Sequence, residues 1–81
     1  MWIRNQDRDE LVNSDRVKNI FIEKLVKLTK PKWSLIADEL TLGTYTSEDN
    51  AIDALAYIHE CIYLGKNEMF MPIEENGELK C

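Results

Sequence analysis

The sequence predicts an α+β fold in which a small antiparallel sheet of about four to five strands packs against one α-helix, residues 47–64. Two observations support this prediction: apolar and polar residues alternate along several short runs before residue 46, and a helical periodicity follows. The chain has 81 residues, of which 44% are hydrophobic and 31% are charged. This size and composition predict one small domain, which we place at residues 1–73.

The first predicted strand covers residues 1–6, where Trp2 and Arg4 alternate with Met1 and Ile3. A polar run ends this strand. The next segment, residues 11–28, is ambiguous, because some of its apolar residues fit a helical face and others fit one side of a strand. The β-branched and aromatic run NIFIEKLV favours a strand. Whether the whole segment is strand stays open.

Two further strands are predicted after a hairpin loop at Pro31, which lacks a backbone donor and favours extended or turn conformations. Residues 33–37 and 40–45 alternate on either side of the pair Asp38 and Glu39. The pair marks a turn, so the two runs are expected to form neighbouring strands.

The predicted helix has recognisable ends. Thr46 or Ser47 is a good N-cap, acidic residues follow in the first turn, and the helix ends at Gly65. At about 100° per residue, one set of apolar residues forms the expected core stripe: Ala51, Leu55, Ile58 and Ile62. After the helix, the apolar run MFMPI predicts an edge strand or a segment across the core. Residues 74–81 predict a flexible acidic tail, because little apolar sequence follows the Asn-Gly turn signal.

The only histidine and one of the two cysteines lie two positions apart, at His59 and Cys61. On a helix their side chains diverge by about 160°, so they do not form one metal site or one catalytic pair. Cys61 is expected to pack in the core, and His59 to lie at the helix edge or in an interface. The three glycines are isolated, which excludes the usual phosphate-binding loops. We therefore predict no enzymatic activity, no metal and no cofactor.

Two sets of residues are left as candidate binding sites. Four lie on one side of the helix beyond the sector that a small sheet covers, and they predict a homodimer interface: Ile52, Ala56, His59 and Tyr63. The other set is Trp2 and Arg4, which share one strand face and could stack on a base and pair with a phosphate. The competing interpretation is structural, with Trp2 covering one end of the core and Arg4 lying across its ring.

The formal net charge of −5 is unevenly distributed. Residues 1–32 carry eight Lys or Arg and five acidic residues, whereas residues 33–81 carry two and ten. The first residues lack the basic start and apolar run of a signal peptide, and no stretch is long enough to span a membrane. These features predict a cytoplasmic location and reduced cysteines.

Four segments, MWIRNQ, LVNSDRV, LGTYTSEDNAIDALAYIHE and FMPI, resemble a group of small proteins of Gram-positive bacteria and of their phages and mobile elements. The resemblance spans most of the chain. It implies an α+β unit of antiparallel strands with one helix, and a phage or mobile-element origin. It implies no activity.

These observations predict a non-enzymatic interaction protein. One hypothesis for its role is a counter-defence inhibitor that binds a host protein. The acidic half supports this hypothesis, because an acidic surface can occupy a nucleic-acid-binding site on another protein. The alternative is a homodimeric sponge that sequesters a nucleotide signal. Direct binding of nucleic acid is the weakest hypothesis, because the chain is acidic and only its hairpin is basic, at Lys24, Lys27, Lys30 and Lys32.

Overall fold

A computed structural model describes residues 1–26 and 29–80. Lys27 of the basic hairpin and residue 81 of the predicted tail lie outside the described residues. The described elements are β1 (Trp2–Arg4), β2 (Leu11–Asn13), a short 3₁₀ helix (Ser14–Arg16), β3 (Ile20–Leu25), β4 (Lys32–Ala37), β5 (Leu40–Tyr45), α1 (Glu48–Tyr63), β6 (Glu68–Phe70), β7 (Ile73–Glu75) and β8 (Glu78–Lys80).

The fold is α+β, as the sequence predicts, but the strands differ in number and arrangement from the prediction. The described residues contain eight short strands in three sheets, with the orders β2-β1-β6, β3-β4-β5 and β7-β8. All pairs are antiparallel except β1 and β6, which are parallel. The ambiguous segment therefore contains two strands and a 3₁₀ helix. In the described part of the chain, no helix is long and apolar enough to cross a membrane.

The sheet β3-β4-β5 supports the helix. Leu35 lies at the centre of this sheet, opposite Ile22 on one side and Gly43 on the other. The helix α1 contacts all three strands. Pairing places Leu35 and Tyr45 on the same face of the sheet, and both are fully buried. Leu42 is buried too, although it lies three residues from Tyr45, because a register irregularity interrupts the alternation along β5.

The sheet β2-β1-β6 closes the other side of the core. Its inner row is Val12, Ile3 and Met69, which lie opposite one another and are buried. Gln6 joins the two larger sheets, because its backbone N–H donates to Leu42 O at 2.7 Å and its Oε1 accepts from Thr44 N at 2.8 Å.

The helix has the predicted cap but a different core stripe. Ser47 is the N-cap, and its Oγ accepts a hydrogen bond from Asn50 N at 3.1 Å. Cys61 is buried, as expected, whereas Ile62 is 50% exposed and the prediction that it lies in the core is wrong. The buried face is rotated towards Ala54 and Cys61 from the predicted stripe.

The structure differs from the predicted tail, because β7 and β8 form a hairpin around Asn76 and Gly77. Glu74 anchors the hairpin to the start of the helix. Its carboxylate accepts hydrogen bonds from Thr46 N at 2.9 Å and from Asn50 Nδ2 at 2.6 Å. Asn50 also donates to Gly77 O at 3.0 Å. These long-range contacts order a segment that carries little apolar sequence of its own.

Candidate functional site

The outer face of the sheet β2-β1-β6 carries the two residues that the sequence singles out as a ligand site. Strand pairing places Leu11, Arg4 and Phe70 side by side in one row, and Trp2 in the next. We call these four residues, together with Arg8 from the following loop, the sheet face. Its members come from three separate parts of the sequence.

Trp2 does not cover the core. Its side chain is 49% exposed, and Phe70 is 48% exposed on the same face. The ring that Arg4 contacts belongs to Phe70, with Arg4 Cζ 5.4 Å from the ring centroid. The structure therefore differs from the structural interpretation of Trp2 and Arg4, and leaves the Trp2 ring available to a binding partner.

Two guanidinium groups contact the Phe70 ring. Arg8 Cζ lies 4.9 Å from its centroid, closer than Arg4 Cζ. A guanidinium over an aromatic face is attracted by the ring quadrupole. Arg4 and Arg8 thus share one aromatic ring as a contact.

The loop between β1 and β2 fixes the position of Arg8. Asn5 is buried, and its Oδ1 accepts hydrogen bonds from the backbone N–H groups of Asp9 and Glu10, each at 3.0 Å. Arg8 adopts a left-handed backbone conformation with φ of 67°. Its Nη1 donates to Met71 O at 2.9 Å and more weakly to Asn5 O at 3.4 Å. The backbone and the side-chain bonds together hold the guanidinium against β6.

A cavity of about 260 Å³ opens beside the two arginines. It is lined by Arg4, Arg8, Asp9, Glu10 and Leu11. Neither guanidinium has a carboxylate oxygen within 4.0 Å in the described part of the chain. Arg4 Nε is buried and has no hydrogen-bond partner there. A buried donor without a partner is unfavourable, so Arg4 Nε is a donor that the fold leaves unsatisfied in a side chain that lines the cavity.

The four residues of the predicted dimer interface also lie on one exposed side of α1. We call Ile52, Ala56, His59 and Tyr63 the helix face. Tyr63 is 84% exposed and Ile52 is 47% exposed. The terminal segment does not cover them, because Met69, Met71 and Pro72 are buried elsewhere in the core.

The structure separates His59 from Cys61. His59 is exposed on the helix face, whereas Cys61 is a buried free thiol. Among residues 1–26 and 29–80, no group of three or more His, Cys, Asp or Glu side chains is placed to hold a metal ion. Cys61 therefore packs in the core, and His59 is a surface residue.

A larger groove, about 590 Å³, runs beside the edge strand β2 and the turn between β4 and β5. Asp38 lines this groove, but its carboxylate stabilises the fold. It accepts hydrogen bonds from the backbone N–H groups of Lys18 and Asn19 at 3.1 to 3.3 Å. The remaining lining mixes apolar and charged side chains. Among the described residues, none that lines this groove carries a buried donor without a partner, in contrast to Arg4.

Sequence reasoning missed Arg8 and Phe70. Arg8 lies in the polar run after β1, which we interpreted only as a strand break. A signal for Phe70 was present, because Met69, Phe70 and Met71 would alternate in a strand and send Phe70 to the face opposite the two methionines. Nothing local in the sequence places Arg8 over that ring.

Comparison with known proteins adds no assignment. No protein-family model, curated protein or solved structure matches the chain. The resemblance of the quoted segments to proteins of phages and mobile elements stays a prediction. Function must therefore be inferred from the chemistry of the sheet face and the helix face.

Proposed function

We propose that the protein is a non-enzymatic binding protein that recognises a protein partner through its sheet face. The observation that carries this proposal is the pair of half-exposed aromatic rings, Trp2 and Phe70, beside two arginines on one face. Trp, Phe and Arg are enriched where protein interfaces are fully desolvated, and Trp and Arg dominate binding energies there.

The proposed setting is a counter-defence inhibitor that acts on a host protein in the cytoplasm. The resemblance to small proteins of Gram-positive bacteria, phages and mobile elements supports this setting. The acidic second half of the chain supports it as well, since Glu48, Asp49, Glu75 and Glu78 are exposed on the helix start and the terminal hairpin. Such a surface presents charge of the same sign as nucleic acid.

The helix face is the proposed homodimer interface. Its residues follow one another at spacings of four, three and four, which is the pattern of a helix-pairing stripe. Two copies paired through this stripe would cover Ile52 and Tyr63 and leave both sheet faces open. The dimer would therefore present two copies of the partner-binding surface.

The protein-binding proposal is tested by comparing two aromatic substitutions in a Gram-positive lysate. Trp2→Ala removes a ring of the sheet face, and Phe21→Ala removes a partly exposed ring on the outside of the other large sheet. We expect at least one protein to be captured by the wild type and by Phe21→Ala but not by Trp2→Ala, and to bind again as purified protein. Equal capture by the two variants would contradict the proposal.

A nucleotide sponge is the second candidate function. The observation that favours it is the exposed Trp2 ring on the same face as Arg4, which is the arrangement for stacking a base beside a phosphate. Calorimetric titration with cyclic and linear nucleotides tests it. We expect no ligand tighter than about micromolar, because one stacked base contributes only about 1 to 3 kcal/mol. A tighter ligand whose binding is lost in Arg4→Ala would reverse the order of the two proposals.

A further inference from the structure

We propose that the cavity beside Arg4 and Arg8 receives the carboxylate of an Asp or Glu side chain from the protein partner. The apolar neighbours of that acidic residue would lie on Trp2, Leu11 and Phe70. This inference rests on the proposed protein-binding function and adds the chemistry of the segment that is recognised.

The first argument is charge. Arg4 Cζ and Arg8 Cζ lie 5.4 Å and 4.9 Å from the centroid of the Phe70 ring, and both side chains line the same cavity. In the described part of the chain, neither is neutralised by a carboxylate within 4.0 Å. An anion from outside would complement these cationic groups.

The second argument is the set of donors that remains. Arg8 uses Nη1 for Met71 O and Asn5 O, and its other guanidinium nitrogens make no hydrogen bond within the described residues. Arg4 has Nε buried without a partner. A guanidinium carries five N–H donors in a planar fork that matches a carboxylate. The two side chains therefore offer more directed donors than the fold itself uses.

The third argument is size. The cavity holds about 260 Å³, whereas sites for whole small molecules are typically about 300 to 1,000 Å³. It is large enough for the end of one acidic side chain and lies at the lower limit of the range for a whole small molecule. Asp9 and Glu10 line the same cavity, and their charges oppose a phosphate that carries about two negative charges more than they oppose one carboxylate.

Phage-displayed random peptides, panned against the full-length protein, test the proposal. We expect the enriched peptides to share an Asp or Glu next to an apolar residue. Replacing that acid by its amide in a synthetic peptide should weaken binding about tenfold or more, since hydrogen bonds to charged groups contribute about 1.5 to 3 kcal/mol. Arg4→Gln in the protein should cause a similar loss.

Matched variants separate binding from folding. Arg16→Gln alters an exposed arginine outside the sheet face and should leave the peptide affinity unchanged. Arg8→Lys keeps a cationic donor near Met71 O but loses the planar fork, so it should weaken the peptide while unfolding like the wild type. The Arg4 side chain makes no hydrogen bond within the described residues, so Arg4→Gln tests the site even if the Arg8 variant is unstable.

Three results would overturn the inference. Enriched peptides without a shared acid would do so, as would an affinity unchanged by Arg4→Gln, or inorganic phosphate displacing the peptide better than acetate. If Trp2→Ala still abolishes binding in those cases, the proposed function stands and only the carboxylate assignment fails. If no peptide is enriched, or if Trp2→Ala has no effect, both proposals fail.

Discussion

The sheet face and the helix face are both exposed and both carry aromatic side chains, but the fold supports them differently. On the sheet face, Arg8 is bound to Met71 O and rests on Phe70, so its position depends on residues distant in sequence. On the helix face, Ile52 and Tyr63 project from one helix and their side chains make no hydrogen bond within the described residues. A preorganised surface loses less entropy on binding. The comparison therefore supports the proposal of directed recognition through the sheet face and the separate proposal of association through the apolar area of the helix face.

The largest change in the free energy of unfolding is expected at Asn5, which fixes the loop that carries Arg8. Asn5→Ala removes the side chain that satisfies Asp9 N and Glu10 N, and should lower the free energy of unfolding by about 2 to 3 kcal/mol. The matched substitution Asn13→Ala removes one exposed bond to Asp15 N and should cost about 0.5 to 1 kcal/mol. Urea unfolding measures both. Equal losses would mean that the loop carrying Arg8 is not anchored by Asn5.

A smaller change in the free energy of unfolding is expected at Tyr45, a core residue that is hydrogen-bonded to the segment behind the sheet face. Its hydroxyl donates to Pro72 O at 2.8 Å, next to the carbonyl that holds Arg8. Tyr45→Phe leaves a buried acceptor without this donor and should cost about 1 to 2 kcal/mol. Tyr63→Phe on the helix face should change the free energy of unfolding by less than about 0.5 kcal/mol. Thermal or urea unfolding measures the stability of both variants. If Tyr63→Phe lowers the free energy of unfolding as much as Tyr45→Phe does, the two faces do not differ in how the fold supports them.

The contact between the arginines and their ring should contribute about 1 kcal/mol. Phe70→Leu keeps an apolar side chain but removes the ring face beneath Arg4 and Arg8. Phe21→Leu makes the same change at a partly exposed ring of the other large sheet. We expect the Phe70 variant to lose about 1 kcal/mol more than the Phe21 variant in urea unfolding. If the two losses are the same, the ring does not position the arginines.

The smallest effect on folding is expected on the helix face, together with a loss of assembly. Ile52→Glu should change the free energy of unfolding by less than about 0.5 kcal/mol, because the side chain is already half exposed. It should shift the proposed dimer towards the 9.5 kDa monomer in sedimentation equilibrium at high micromolar concentration. Ile62→Glu is the matched control, since Ile62 is equally exposed but lies off the helix face. A wild-type monomer under these conditions would contradict the dimer.

The sequence predicts the middle of the fold better than its periphery. The strands β3 to β5 and the helix were predictable, because each is long enough to show its period and Ser47 marks a cap. The strand β2 has three residues, too few to show alternation. The strand β6 overlaps the run MFMPI, where an edge strand was one of the two predictions, and it lies at the edge of its sheet. The hairpin was missed because Glu74 stabilises it through Thr46 and Asn50, contacts that no local pattern contains.

The candidate surfaces were predictable to different degrees for a related reason. The helix face follows from angles on one element, so Ile52 and Tyr63 could be placed without tertiary information. The error at Ile62 came from the rotation of the helix on its sheet, which the sequence does not specify. Trp2 and Arg4 were found from strand alternation, whereas Arg8 and Phe70 required the pairing of β1 with β6.

The parallel pairing of β1 with β6 also bears on how the chain folds. Ile3 lies opposite Met69, so every element from β2 to α1 belongs to the loop that this pair closes. Closing so long a loop costs more entropy than forming a hairpin, and contacts distant in sequence slow folding. The antiparallel pairs β3-β4 and β4-β5 can form locally and early, while the sheet β2-β1-β6 must wait until β6 has been synthesised. The surface proposed to bind a partner is thus completed after the helix and the sheet β3-β4-β5, and a nascent chain carries the helix before it carries the arginine site.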